Sequence, residues 1–254
     1  MKVQINSPII SKLISYPKLD LSEYLKRMID LYKIGVEEAI LEGPTRLCEL
    51  NILGKGHSGI VLKVNVYSKK TMALKIRRVD SRRKDSLTEV YNQKLANLVG
   101  IGPQIIDNTQ DLILMELITG KGIGDWLQDQ TNFHLLTSRN IIHIVNEILE
   151  QCYQLDVLNL DHGELTRIDN HVMVSKNNQI SIVDFESAST KRKPSNVTSA
   201  SQALLLSGGS ISKIICKFIE KKEDEFLLNR LKKYKKRKNR QNFENILSII
   251  NGNR

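Results

Sequence analysis

A glycine-rich segment followed by a lysine is the first place where residue types and spacing indicate chemistry. Gly54, Gly56 and Gly59 form a G-x-G-x-x-G pattern, and Lys75 follows within an Ala-Leu-Lys-Ile stretch. Glycines let backbone N–H groups approach phosphate oxygens. A lysine turned toward a protein interior needs an anionic partner, because desolvating its unpaired charge is costly. These residues predict a phosphate-binding site.

The context of the glycines decides among the sites that such a pattern can form. A dinucleotide-binding loop opens a helix, whereas the residues after Gly59 alternate like a strand and a second strand follows them. A P-loop needs lysine after its last glycine, and a nucleophile elbow needs glycine two residues after Ser58, but Ile60 stands at that position. A β-hairpin folded over phosphates fits best, and a hairpin turn without a function stays open.

Two acidic residues complete the chemistry that the sequence indicates directly. Glu89 falls on a predicted helix after the Lys75 strand, near apolar neighbours, and is the acid best placed to pair with that lysine. Asp184 follows the apolar stretch 180–183, and a carboxylate at a strand end can bind a hard cation that bridges phosphates. The alternatives are an exposed helix residue for Glu89 and a turn or helix cap for Asp184.

The hydrophobic period predicts the elements that position these residues. Residues 8–43 are predicted to be mainly helical, and 48–76 to be strands with a turn at 68–70. Further helices are predicted at 85–99, 125–130 and 138–158, and further strands at 104–107, 112–117, 172–175 and 180–183. Residues 187–210, rich in Ser, Thr, Lys and Gly, are predicted to be a loop, and the remainder to be helical and basic.

Composition and charge limit the class of protein. A chain of 254 residues with 41% hydrophobic residues can bury one large core or two lobes. Its net charge of +10 favours polyanionic partners, and residues 230–240 contain eight basic residues and no acid. A smaller basic cluster lies at 77–84. A solvated basic surface is the alternative for both segments.

The apolar runs and the cysteines bear on location. Every apolar run is interrupted by charge before the roughly 20 residues that a bilayer requires, so we expect no membrane partner. Residues 1–6 lack the apolar region of a signal peptide. Cys48, Cys152 and Cys216 show no metal-type spacing and suit a reducing compartment. We therefore expect a cytoplasmic protein.

Taken in order, three blocks resemble the phosphate loop, catalytic loop and metal-binding loop of protein kinases. They are the glycine segment with Lys75, the stretch His162-Gly163-Glu164-Leu165-Thr166, and the stretch Val183-Asp184-Phe185. Within residues 50–190 the chain is similar to the small atypical kinases, namely the RIO type and the KEOPS-complex kinase with its His-Gly-Asp-Leu-Thr loop.

This resemblance implies an α+β, two-lobed protein-kinase-like fold with a reduced C-lobe. An N-terminal helical extension would span 1–45, the N-lobe 46–118, and a small helical C-lobe with a basic tail 119–254. ATP and Mg²⁺ would lie in the cleft between the lobes. Lys75 would hold phosphates, paired with Glu89, and Glu164 would orient or deprotonate the acceptor. Further contacts are implied for adenine at Val61, Ala73, Glu116 and Ile118, and for Mg²⁺ at Asp184 with Asp169 or Asn170.

Departures from the kinase pattern leave more than one function open. Glu164 stands where kinases have Asp, and Glu186 replaces the glycine of D-F-G. An atypical serine/threonine protein kinase or ATPase, acting on a protein substrate with Mg-ATP, is the leading hypothesis. The alternative is a catalytically weak kinase-like module that binds nucleotide and docks on RNA or a partner complex through 230–240. A small-molecule kinase of the aminoglycoside type is disfavoured, because the C-terminus is basic. His162 is predicted to be structural and to hydrogen-bond the backbone near Asp184.

Overall fold

The chain folds into two compact units. The computed structural model describes residues 1–67, 70–219 and 224–252. The first unit comprises Met1–Lys94 and Pro103–Ile118, and the second comprises Leu95–Gly102 and Thr119–Arg254. The predicted α+β class is confirmed, since the first unit is built on an antiparallel sheet and the second is mainly helical.

The first unit contains most of the strands. They are β1 (Lys2–Gln4), β2 (Val36–Ile40), β3 (Thr45–Leu47), β4 (Leu50–Ile52), β5 (Gly54–Lys55), β6 (Gly59–Val66), β7 (Thr71–Arg77), β8 (Ile105–Asn108) and β9 (Leu112–Met115). The main sheet has the order β1-β2-β6-β7-β9-β8, with β5 paired to β6, while β3 and β4 form a separate hairpin. The helices are α1 (Pro8–Ile14), α2 (Leu21–Lys33) and α3 (Leu87–Asn97), which begins in this unit.

Strands β6 and β7 place their core residues and Lys75 on opposite faces of the main sheet. Leu62 pairs with Leu74, and both belong to the core that α1 and α2 complete on that face of the sheet. Val61 pairs with Lys75, and successive side chains of a strand point to opposite faces. Lys75 therefore projects from the face opposite the core shared with α1 and α2.

The region predicted to be mainly helical, 8–43, contains a strand as well. Helix α2 starts after Asp20, whose side chain accepts a hydrogen bond from Glu23 N at 3.0 Å, and it ends before Gly35, which has a φ of +75°. Strand β2 follows and pairs antiparallel with β6. The helical prediction is wrong for 36–40, because the partner strand that stabilises β2 lies outside the local window. The turn predicted at 68–70 falls largely on Ser68 and Lys69, which lie outside the described residues.

The second unit is built around one long helix. Its helices are α4 (Ile123–Asn132), α5 (Ser138–Val157), α6 (Ile168–His171), α7 (Asn196–Ser201), α8 (Ser210–Ile215), α9 (Asp224–Lys236) and α10 (Arg240–Ile250). Strands β10 (Lys121–Gly122), β11 (Val172–Val174) and β12 (Ile180–Ile182) form a small antiparallel sheet. The apolar face predicted for α5 is buried in the core. In the described part of the chain, no helix is both long and apolar enough to cross a membrane.

The loop predicted at 187–210 is wrong in its second half. Helix α7 and a π-helical stretch, Gln202–Leu206, occupy it. Asn196 N and Nδ2 both donate to Asp156 Oδ1 at 2.9 Å, which fixes the start of α7 to α5. Val197 and Leu204 are fully buried. The polar composition of this segment resembles that of a loop, and the residue that fixes the helix, Asp156, lies 40 residues away in the sequence.

Candidate functional site

The glycine segment forms a tight hairpin between β5 and β6. Gly56 N donates to Gly59 O at 2.7 Å, and Arg78 N donates to Ser58 O at 2.7 Å, which joins the turn to the end of β7. A Cβ atom at Gly59 would lie 3.1 Å from Cε of Lys75, so a larger residue at this position would crowd the lysine side chain. No described atom lies within 4 Å of a Cβ built at Gly54. The space beside Gly54 is therefore not filled by described atoms.

Lys75 and Glu89, which the sequence pairs, are brought together. Nζ of Lys75 donates to Oε1 of Glu89 at 2.6 Å, and the two residues are 8% and 6% exposed. Glu89 lies in the first turn of α3, where Asp85 Oδ1 accepts from Leu87 N at 3.0 Å. Burial strengthens the attraction of the pair and also makes each charge costly without the other.

A cavity of about 290 Å³ lies beside this pair. Its lining combines basic side chains, hydroxyl groups and two carboxylates, namely Ser58, Lys75, Arg77, Arg83, Lys84, Asp85, Ser86, Thr88 and Glu89. Such a basic and hydroxyl-rich lining suits an oxyanion. The basic cluster at 77–84 appears in the sequence only as surface charge, and the fold places part of it in this cavity.

The residues implied for adenine lie on two segments of the first unit. Val61 and Ala73 lie on β6 and β7, on the same face of the sheet as Lys75. Glu116 is exposed and its N–H donates to Gln104 O at 2.9 Å. Among the described residues, no hydrogen bond engages the carbonyl of Glu116 or the N–H of Ile118.

In the second unit, the loop that carries Glu164 is held by its neighbours. Asp161 accepts from Arg192 Nε at 2.9 Å and from Ser195 N at 3.0 Å. Asn196 Oδ1 accepts from His162 N at 2.9 Å. These bonds tie the loop to the start of α7 and position the residues that follow it.

His162 has the structural role predicted for it. Its Nε2 lies 3.1 Å from Val183 O, and since a carbonyl oxygen only accepts, Nε2 carries the proton. The ring packs edge-on against Phe185, with centroids 5.2 Å apart. Burial, and then the proximity of His171, lower the pKa of His162 to about 4. The prediction is confirmed: a neutral His162 fixes the backbone before Asp184.

His171, which the sequence analysis did not identify, lies close to Glu164 and Asp184. Each of the three offers a ligand atom within 4.8 Å of the others. Nε2 of His171 lies 3.4 Å from Oε2 of Glu164. Asp184 has a φ of 67°, unusual for a residue other than glycine, and directly follows Val183, whose N–H donates to His171 O at 2.9 Å. His171 sits seven residues after Glu164, a spacing that no motif marks.

The two alternatives for the second Mg²⁺ ligand lie in different surroundings. Asp169 Oδ1 accepts from Gly124 N at 2.7 Å, in the first turn of α4. Asp169 does not belong to the described cluster of Glu164, His171 and Asp184. The side chain of Asn170 is exposed and makes no hydrogen bond to any other described residue.

Comparison with known proteins adds no assignment. No protein-family model matches the chain, and no curated protein matches it either. The function is therefore argued from the side chains and their geometry.

Proposed function

We propose that the chain is an ATP-dependent phosphotransferase with a protein-kinase-like fold, resembling the small atypical kinases of the RIO and KEOPS type. The observation that carries this proposal is the buried ion pair of Lys75 and Glu89, 2.6 Å long, beside a glycine hairpin and a basic cavity. An interior lysine needs an anionic partner, and a carboxylate that holds its ammonium group beside a basic cavity positions that group for phosphate oxygens as well.

The residues of the first unit fit a nucleotide in charge and in shape. ATP would supply the phosphoryl group, and transfer depends mainly on positioning and on charge stabilisation. Lys75 would bind phosphate oxygens, and Gly56 and Gly59 would admit their approach to the backbone. Val61 and Ala73 would offer an apolar surface to adenine, with backbone groups at Glu116 and Ile118.

The residues of the second unit fit a cation and an acceptor. Asp184 would hold Mg²⁺, with Asn170 rather than Asp169 as the more available oxygen ligand, because Asp169 already accepts a hydrogen bond in the first turn of α4. Glu164 is near enough to Asp184 to share the cation or to orient an acceptor hydroxyl. The acceptor would be a protein hydroxyl, as in a serine/threonine kinase, or water, as in an ATPase.

The test is phosphate release and autophosphorylation from labelled ATP, together with ATP affinity by calorimetry. We expect Lys75→Met and Asp184→Ala to lose about 10²-fold or more in turnover, since each removes a charge that positions phosphate. Lys63→Met is the matched control. Lys63 lies on β6, the strand that pairs with the Lys75 strand β7, but its ammonium group pairs with Glu42 at 2.5 Å. Equal turnover in wild type, Lys75→Met and Asp184→Ala would reject the enzymatic proposal.

A basic face on α9 favours a second candidate function, docking of a kinase-like module on RNA. Leu227, Leu231 and Tyr234 bury one side of α9. The opposite side exposes the basic residues Lys232, Lys233, Lys235 and Lys236, and the exposed Arg237 directly follows the helix. Helical periodicity thus concentrates positive charge on one surface, where it can attract phosphates.

Salt-dependent RNA binding tests this second function. Neutralising four exposed lysines of α9 by substitution with glutamine should lower the slope of log affinity against log salt by about 2–3, at about 0.7 per phosphate contact on a single strand. The control replaces four exposed lysines of the first unit, Lys2, Lys12, Lys18 and Lys33. Equal slopes for the two variants would remove the basis for docking through α9.

A further inference from the structure

We propose that Glu164, His171 and Asp184 bind a divalent transition-metal ion, represented by Mn²⁺, in preference to Mg²⁺. The ion would take one imidazole nitrogen and two carboxylate oxygens, with water in its remaining positions. This inference deepens the proposed function and rests on it only for what the ion does in phosphoryl transfer. Binding of the ion itself requires no nucleotide.

The geometry of the three side chains is close to that of a metal site. Their ligand atoms lie within 4.8 Å of one another, and His171 Nε2 is 3.4 Å from Glu164 Oε2. A first-row ion with bonds of about 2.0–2.2 Å holds neighbouring ligand atoms about 3–3.5 Å apart. Small side-chain rotations would close that difference. The bond from Val183 N to His171 O, 2.9 Å long, fixes the backbones of two ligand segments to each other.

His171 provides an independent indication of a ligand. It is 4% exposed, its Nδ1 is buried without a partner, and neither ring nitrogen makes a hydrogen bond to any described residue. Its contact with Glu164 becomes an ion pair only when the imidazole is protonated. Buried polar groups are normally satisfied, because an unmet polar group is costly to desolvate. The ring is buried and its Nε2 faces Oε2 of Glu164 at 3.4 Å, so a cation beside the carboxylates would give Nε2 a partner.

Charge also favours a cation at this place. Two carboxylates that approach within a few ångströms repel each other when both are ionised. Arg167 Nη1 lies 3.8 Å from Oε1 of Glu164, but its side chain is 73% exposed and its effect on Glu164 is screened. A divalent ion between the carboxylates would attract both of them.

The nitrogen ligand selects the kind of ion. Mg²⁺ prefers oxygen ligands in near-ideal octahedral geometry, whereas imidazole suits transition-metal ions such as Zn²⁺, Fe²⁺ and Ni²⁺. Mn²⁺ also binds carboxylates and has the lowest affinity of the series, and it serves here as the spectroscopic probe. The proposed site would also explain why Glu stands at position 164 where kinases have Asp, since the additional methylene would carry the carboxylate toward His171. A metal-bound Glu164 is a ligand and not the general base, so the departure from Asp at this position follows from the site.

The experiment titrates nucleotide-free protein with Mn²⁺ alone and follows binding by electron paramagnetic resonance. Mn²⁺ is chosen over Zn²⁺ because the exposed thiol of Cys48 would also bind zinc. We expect one bound Mn²⁺ per chain, binding of Mg²⁺ that is at least about tenfold weaker, and ¹⁴N modulation of the spin echo from a coordinated imidazole. His171→Gln should abolish the modulation and weaken Mn²⁺ binding on the order of tenfold or more.

Controls separate this proposal from folding defects and from the proposed function. His143→Gln replaces an exposed histidine of α5 and should leave the modulation unchanged. Glu164→Gln supplies a second ligand variant and should weaken Mn²⁺ binding while keeping the ¹⁴N signal. Lys75→Met should lose ATP affinity and keep Mn²⁺ binding. Absence of a bound ion, or unchanged affinity and modulation in a folded His171→Gln protein, would overturn the site whatever the outcome for ATP.

Discussion

At the scale of single residues, the Lys75–Glu89 pair points to function more than to stability. Both charges are buried, and desolvation of two charges offsets much of their mutual attraction. A pair of apolar residues of similar size would stabilise the sheet and α3 at least as well. We interpret its presence beside a basic cavity as support for the proposed phosphate ligand.

We predict that stability and ligand binding separate at this pair. Glu89→Leu alone should lower the free energy of unfolding by about 3–5 kcal/mol, because it leaves a buried ammonium group without its carboxylate. Lys75→Met combined with Glu89→Leu should restore that loss or add about 1–4 kcal/mol, while ATP affinity disappears. Urea unfolding and calorimetry measure the two quantities. A double variant as unstable as Glu89→Leu would contradict the prediction.

Two glycines of the second unit permit a controlled test of close packing. Gly100 and Gly102 have φ values of +73° and +76°, so alanine is strained equally at both. A Cβ at Gly102 would lie 2.7 Å from Cε2 of the fully buried Phe185, whereas no described atom lies within 4 Å of one at Gly100. Phe185 directly follows Asp184, so its displacement would move the carboxylate.

We predict that Gly100→Ala costs about 1–2 kcal/mol of unfolding free energy from backbone strain. Gly102→Ala should cost a further 1–3 kcal/mol or so from overpacking, and it alone should weaken Mn²⁺ binding at Asp184. Urea unfolding and the Mn²⁺ titration measure both effects. Equal losses at the two positions would show that Phe185 yields without strain.

At the scale of elements, predictability depends on where the stabilising partner lies. Helix α5 and strands β6 and β7 carry their own hydrophobic period, and the sequence predicts them closely. Strand β2 needs β6, and α7 needs Asp156 on α5, so local patterns did not reveal either. The sheet residues around Lys75 were predictable for the same reason, since alternation alone separates Lys75 from the core face.

A buried aspartate links three elements of the first unit. Asp111, immediately before β9, is fully buried and accepts from Lys26 of α2 at 2.8 Å and from Arg77 of β7 at 2.5 Å. Arg27 Nη2 lies 3.9 Å away and is also fully buried. Burial by itself raises the pKa of Asp111, but the hydrogen bonds from Lys26 and Arg77 outweigh it and hold the pKa below its usual value.

We predict that Asp111→Asn lowers the unfolding free energy at neutral pH by about 3–5 kcal/mol, since Arg27 then loses a buried counter-charge. Because the folded-state pKa of Asp111 lies below the unfolded value, its contribution is complete above the unfolded pKa and is lost as pH falls through the folded one. The difference between wild type and variant should therefore shrink in acid. Asp80→Asn, which breaks an exposed pair with Arg78, should change stability little. A pH-independent difference would contradict the linkage.

At the scale of the whole molecule, groups of side chains from separate segments were harder to predict from the sequence than neighbouring pairs. Lys75 and Glu89 were paired from the sequence because they lie on consecutive elements. His171 joins Glu164 and Asp184 only through the fold, and the same holds for the basic residues of the cavity. A group of side chains from separate segments has no fixed spacing in the sequence by which it could be predicted.

A chain of hydrogen bonds connects the basic helix α9 with the loop before Glu164. Tyr234 of α9 donates through its hydroxyl to Asp156 Oδ2 at 2.9 Å, and Asp156 Oδ1 accepts from Asn196 at 2.9 Å. Asn196 in turn accepts from His162 N at 2.9 Å, and His162 donates to the backbone at Val183. Burial raises the pKa of Asp156 despite these donors. The backbone next to Asp184 is thus supported from the C-terminal part of the chain.

We predict that Tyr234→Phe, which removes only the hydroxyl, lowers the unfolding free energy by about 1.5–3 kcal/mol, as expected for a hydrogen bond to a charged acceptor. It should also weaken Mn²⁺ binding by a few fold, because Asp156 then holds Asn196 and His162 less firmly. Tyr153→Phe is the control, since Tyr153 stacks on Phe243 with centroids 4.6 Å apart and its hydroxyl bonds to no described residue. Urea unfolding and Mn²⁺ titration decide the matter. A Tyr234→Phe protein that is destabilised and yet binds Mn²⁺ as wild type does would contradict the prediction. It would show that α9 stabilises the second unit without supporting the metal site.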